Sequence, residues 1–207
     1  MTGPPADDRQ LAEAAVHLGA FPRLASAADP SLKHAAVAIV LLGPAAERSV
    51  ILTRRAAGLR RHGGQWALPG GRCEAGESAG EAGLRELAEE VGLFLPASRI
   101  LGQLDDYPTR SGYRITPLVV WGGEAPALRP DPAEVAAIHL VPLADLARPD
   151  AVDFVSIPES ERQVVRFRIG ERLIHAPTAA LLYQFREALA GRVTRVAELE
   201  QPPFAWR

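Results

Sequence analysis

The chain has a single cysteine among its 207 residues, Cys73, so an internal disulfide is excluded and the protein reads as one made for a reducing, cytoplasmic setting. The carboxylates around Cys73 raise a thiol pKa rather than lower it, which argues against a nucleophilic role. Lysine is almost absent as well. Lys33 is the only one, and arginine, whose planar fork grips phosphate at two points, carries the remaining positive charge. The formal net charge of −2 provides no overall field for a polyanion, so nucleic acid is not expected as a partner. No apolar run approaches the roughly 18 residues of a membrane span. The opening MTGPPADDRQ is acidic and lacks the apolar stretch of a secretory signal.

What is present suits a globular core. Hydrophobic residues at 47% and charged residues at 23% exclude a disordered or fibrous chain. The length fits one domain with extensions. Residues 1–30 read as an N-terminal helical extension, with Leu11, Ala14, Ala15 and Leu18 on one helical face outside the catalytic unit. Residues 31–195 read as the main domain and 196–207 as a tail. Within the domain, Ala35–Leu42 and Ser49–Thr53 have strand character, and the arginine- and glycine-rich Arg54–Gly71 has loop composition, with Trp66 and Leu68 as anchors. Strands are expected on both sides of a turn at Thr109–Gly112, with Pro117 marking an edge or a bulge. A further strand over Glu134–Leu143 enters a short helix, a hairpin turns at Gly170–Glu171, and a last helix runs from Pro177 to Ala190. Strands interspersed with helices imply an α/β layered domain.

The clearest element is the helix over Ser78–Val91. Ser78 and Glu81 have the spacing of a capping box, and Gly92 supplies a left-handed stop. Leu84, Leu87, Ala88 and Val91 share one face, while Arg85, Glu86, Glu89 and Glu90 share the other. Like charges three and four residues apart repel by roughly 0.2–0.5 kcal/mol per exposed pair. A positive partner is therefore expected, and a hard dication such as Mg²⁺ or Mn²⁺ suits carboxylate oxygens, with a backbone carbonyl near Gly71 as a further ligand.

These residues resemble the signature of the Nudix hydrolases, G-x5-E-x7-R-E-U-x-E-E-x-G-U, where U is aliphatic. Gly71, Glu77, Arg85, Glu86, Leu87, Glu89, Glu90, Gly92 and Leu93 occupy its positions without a departure. The resemblance implies an α/β/α sandwich with a mixed β-sheet and a loop–helix–loop catalytic motif. It further implies that Glu86, Glu89 and Glu90 ligate metal, that Arg85 pairs with Glu77, and that a metal-activated water attacks phosphorus. Glu86 is the first candidate for the base and Glu134 the second.

Upstream, Leu52, Thr53, Arg55, Ala56, Arg60, Gly64, Pro69, Gly70 and Gly71 resemble the signature of the coenzyme A diphosphatase branch, with Leu68 where that signature has phenylalanine. Arg54, Arg55, Arg60 and His62 are the candidate substrate-binding residues, since arginine binds phosphate bidentately. The expected activity is cleavage of coenzyme A or an acyl derivative, a small-molecule diphosphate. ADP-ribose or nucleoside diphosphate sugars are the alternative substrates, and a non-catalytic nucleotide sensor is the alternative class. A homodimer paired through the N-terminal helix is left open by the sequence.

Overall fold

The protein is described here by a computed structural model covering residues 8–26, 29, 31–59 and 63–205. Its first half runs α1 (Arg9–Gly19), β1 (Lys33–Leu42), β2 (Ser49–Arg55), β3 (Trp66–Ala67), β4 (Gly70–Arg72) and α2 (Ala79–Val91). Then come β5 (Ile100–Gln103), β6 (Tyr107–Pro108), β7 (Tyr113–Gly123), β8 (Val135–Pro142) and α3 (Leu143–Ala147). The last part is β9 (Val152–Ile157), β10 (Ser160–Ile169), β11 (Arg172–His175) and α4 (Thr178–Leu189).

β1 is apolar at nearly every position because both of its faces are covered. Ala38, Val40 and Leu42 face α2, packing with Leu87, Val91, Leu118 and Val120. Ile39 and Leu41 face the opposite way, into a larger core with Leu52, Val119, Trp121 and the apolar sides of α1 and α4. β1 runs parallel to β7, and the other pairings of this sheet are antiparallel. The result is the expected α/β architecture, a mixed sheet between helices. β9, β10 and β11 form a second, antiparallel sheet. Its Val165, Phe167 and Ile174 enter the larger core.

One departure from regular pairing positions the candidate site. β1 and β2 pair only at Leu41–Val50 and Leu42–Ser49 and then diverge. Into the fork comes the chain 66–72: β3 pairs with β2 at Thr53 and Arg54, and β4 pairs with β1 from Ala35 to Val37. The stretch Arg54–Gly71, expected as loop, thus contains two short strands. Their brevity hides them from hydrophobic periodicity.

Pro117 is also placed differently from one of its expected settings. β7 is an interior strand, with β1 on one side and β5 and β6 on the other. The Pro117 carbonyl accepts the Leu104 N–H at 3.0 Å, in the interruption between β5 and β6. The missing proline N–H points to the same side, where no regular ladder needs it. This interruption also fastens the flanking segments. Asp105 accepts the Leu24 N–H at 2.7 Å, the Arg195 guanidinium at 2.9 Å and the buried Gln184 amide at 2.8 Å, while Asp106 accepts from Arg23 at 2.6 Å. Leu11, Leu18 and Phe21, from the N-terminal segment expected to stand apart, lie in the larger core. Among the described residues, no helix is long and apolar enough to cross a membrane.

The C-terminal segment is tied down by charge. Buried Glu200 accepts from Arg110 Nε at 3.1 Å and Nη2 at 2.6 Å and from the Gln201 N–H at 3.0 Å. The Arg110 hydrogen bond outweighs burial and holds the Glu200 carboxyl down at about 2, against an ordinary 4.5. A depressed folded pKa contributes stability above the unfolded value and loses it as pH falls through the folded value. Glu200→Gln is therefore expected to melt below the wild type at pH 7. The gap should close between about pH 4.5 and pH 2 in thermal melts, and a constant gap across that window would contradict the assignment.

Candidate active site

The helix α2 begins and ends as its sequence dictates. Ser78 Oγ accepts the Glu81 N–H at 3.2 Å and the Glu81 carboxylate returns a bond to the Ser78 N–H at 2.9 Å. Gly92 closes the helix at φ +70°. Gly83 is buried on the sheet side, and Leu87 and Val91 pack beneath it against the sheet.

On the outer side, Arg85 is the hub. Its Nε and Nη2 meet Glu77 at 2.9 and 3.1 Å, and its Nη1 meets Glu86 at 2.9 Å and Glu89 at 3.0 Å. Nη2 also donates to the Arg72 carbonyl at 3.0 Å, so one guanidinium joins the helix to the loop before it. The Arg85 hydrogen bond holds the Glu77 carboxyl below its ordinary range. Cys73, in the same loop, has its thiol pushed up by burial and then by the charge of Glu77.

Glu90 departs from the sequence expectation. It is not on a solvated face but 3% exposed, turned toward the fork between β1 and β2. There its carboxylate accepts the Gly70 N–H at 3.0 Å and faces Arg55 Nη1 at 3.3 Å. Burial is the largest influence on it and pushes its carboxyl up to about 7, against the Gly70 N–H and Arg55 and with help from the charges of Glu86 and Glu134. Glu86 is raised too, again chiefly by burial. Glu134 approaches Arg55 at 3.9 Å with its side chain about half exposed. The two base candidates, Glu86 and Glu134, therefore belong to one electrostatic cluster.

Gly70 and Gly71 allow this approach. A Cβ on Gly70, at φ +154°, would stand 2.3 Å from the Ala36 carbonyl oxygen and 2.6 Å from Val37 Cα. A Cβ on Gly71 would stand 2.3 Å from Glu86 Oε1, so the bare backbone lies directly against that carboxylate. Five carboxylates, those of Glu77, Glu86, Glu89, Glu90 and Glu134, share two guanidiniums, Arg55 and Arg85. The negative excess, the all-oxygen donor set and the cradle at Gly71 fit a hard divalent cation. In this arrangement the acidic side chains are turned to arginine partners, and among the described residues no three converge to hold an ion unaided.

The candidate substrate residues are divided. Strand alternation sends Arg55 toward α2 and Arg54 to the opposite face, so the two neighbours do not meet in one place. Arg60 and His62 lie outside the described residues. A cleft of about 340 Å³ opens beside Arg55, Gly70, Gly71 and Arg72 and continues between Trp66, Tyr113, Ile115 and Leu181. Thr178 and Gln201, from α4 and the C-terminal segment, close it. Tyr113, Thr178 and Gln201 have no signal in the sequence near the helix motif. Only the fold brings them there.

Known proteins resemble this chain in the same region. The family model described as NUDIX domain matches residues 32–158. A protein of Photorhabdus laumondii, named uncharacterized Nudix hydrolase NudL, is 32% identical over 158 residues, 75% of this chain and 84% of that protein. The protein of the same name from Yersinia enterocolitica is 38% identical over 117 residues, covering 56% of this chain and 59% of the relative. That second match spans less than two thirds of the relative's length. Among solved structures, a NUDIX hydrolase from Alicyclobacillus acidocaldarius superposes with a TM-score of 0.51 at 19% identity, over 78% of this chain and 97% of that one, which bears on the fold alone.

Gly70 is the position where this geometry is most easily broken. Gly70→Ala is expected to cost about 1–3 kcal/mol in urea unfolding, because the methyl meets backbone rather than a movable side chain. An unchanged midpoint would contradict the close approach.

Proposed function

The chain belongs to the Nudix hydrolases, enzymes that act on phosphoric anhydride bonds, and from that premise we propose that it cleaves the diphosphate of coenzyme A or an acyl-CoA. The products are adenosine 3′,5′-bisphosphate and the matching 4′-phosphopantetheine. The observation that carries this reading is the cleft, which runs from the backbone of Gly70 and Gly71, beside Glu86 and Glu90, to a wall of Trp66, Tyr113, Ile115 and Leu181. Such a space suits a diphosphate carrying a long, partly apolar arm. Arg55, Gly70 and Gly71, which line it, match the stretch that resembles the coenzyme A diphosphatase signature, and Leu68, also in its wall, stands where that signature has phenylalanine.

Glu86, Glu89, Glu90 and the Gly71 carbonyl are the proposed holders of Mg²⁺ or Mn²⁺. When bound, the cation neutralises charge building on the diphosphate oxygens. Glu86 takes the proton of the attacking water, with Glu134 across the cluster as the second candidate. The water oxygen joins phosphorus as the bridging P–O bond breaks, and the departing phosphate carries away that electron pair. Arg85, bonded to Glu77, Glu86 and Glu89, is a positioning residue. Arg55 offsets part of the charge beside Glu90, and Arg54, Arg60 and His62 are the remaining proposed substrate contacts.

Incubation of the purified protein with coenzyme A and Mg²⁺ or Mn²⁺, with the products resolved by chromatography, tests the reading. Release of adenosine 3′,5′-bisphosphate is expected, and Glu90→Gln should slow it by about 10²–10³-fold. Turnover of ADP-ribose with none of coenzyme A would overturn the substrate, and unchanged turnover in Glu90→Gln would overturn the role of Glu90.

A further inference from the structure

We propose that the cluster of Arg54, His139 and Arg172 around the Trp66 ring binds a phosphomonoester carried on the substrate's ribose. In coenzyme A this group is the 3′-phosphate, so naming it rests on the function proposed above. The strand register assembles the site. Arg54 on β2 stands opposite Trp66 on β3 and opposite Ala137 on β8, while Leu52 stands opposite His139. Paired residues share a sheet face, and so do residues two apart on a strand, which puts Arg54, Trp66 and His139 side by side.

The second sheet completes the cluster. Arg172, at the start of β11, lies over the Trp66 ring with its guanidinium carbon 5.0 Å from the centroid, and the His139 ring lies 4.4 Å from the same indole. Together Trp66, His139 and Arg172 line a hollow of about 120 Å³. The imidazole of His139 is held toward its neutral form, first by burial and then by the charges of Arg172 and Arg54. Arg54, though not part of the hollow's lining, acts on the His139 ring from close by. Among the described residues, neither Arg54 nor Arg172 has a carboxylate partner within ion-pair distance, whereas Arg85, Arg110 and Arg195 all do. Asp145 also faces the hollow but pairs with neither guanidinium. Two unpaired guanidiniums held beside an aromatic ring offer donors to a phosphate and a flat surface to the nucleoside that carries it.

The hollow is also within reach of the chemistry. Trp66 belongs both to this cluster and to the wall of the main cleft. Three residues stand between it and Gly70, so the two Cα atoms lie at most about 14 Å apart. On this proposal a ribose lying against Trp66 presents its second phosphate to the hollow and its diphosphate to the main cleft.

Calorimetric binding of adenosine 3′,5′-bisphosphate, adenosine 2′,5′-bisphosphate and AMP to the full chain tests the site without relying on turnover. The 3′,5′-bisphosphate is expected to bind at least about tenfold more tightly than AMP, and Arg54→Gln or Arg172→Gln should each remove most of that preference. In parallel, the ratio of KM for dephospho-coenzyme A to KM for coenzyme A should fall toward one in both variants. Arg54 is exposed and makes no ion pair among the described residues, so its variant keeps the test meaningful should Arg172→Gln disturb the packing on Trp66. Equal affinity for AMP and both bisphosphates, or an undiminished preference in both variants, would overturn the site. Tight binding of the 2′,5′-isomer over the 3′,5′-isomer would leave the phosphomonoester hollow standing and overturn coenzyme A as its source.

Discussion

Three glutamates projecting from one helix repel one another, and the Arg85 guanidinium keeps two of them in place. It bonds Glu86 and Glu89 and, through Glu77 and the Arg72 carbonyl, ties the preceding loop to the helix. Without that fork the loop carrying Gly70 and Gly71 would lose its polar ties to α2's outer side and keep the inward Glu90 bond. The remaining excess of negative charge is what supports the proposed cation there over a solvated stripe.

The geometry around that hub descends from how the sheet divides. Because β1 and β2 separate after two pairs, the chain 66–72 can enter between them and bring the Gly70 N–H to Glu90. The same insertion places Trp66 at the junction of the main cleft and the cationic hollow. Its backbone is fixed by β2, its ring is flanked by His139 and Arg172, and its carbonyl meets Thr178 Oγ1 at 3.4 Å. The fork therefore relates the carboxylate cluster to the two surfaces proposed to hold the rest of the substrate.

Local features of this arrangement were legible in the sequence and long-range ones were not. The capping box of Ser78 and Glu81, the stop at Gly92 and the apolar face of α2 depend on neighbours within a few residues, and spacing alone exposes them. The burial of Glu90 depends on an N–H donated twenty residues upstream across the sheet, so helical periodicity assigned it to the outer face. The sequence groups Arg54 and Arg55 among the candidate substrate contacts, yet a strand turns adjacent side chains to opposite faces. Tyr113, Thr178 and Gln201 reach the cleft through topology, which no local pattern encodes.

The central claim is that the α2 carboxylates form a divalent-cation site. Titration of Mn²⁺ into the protein, followed by the loss of the free-ion electron paramagnetic resonance signal, measures this directly. The account predicts saturable binding that is at least about tenfold weaker when Glu86 and Glu90 are both changed to glutamine, since each substitution removes an ionised oxygen ligand. Equal binding by the wild type and the double variant would contradict it.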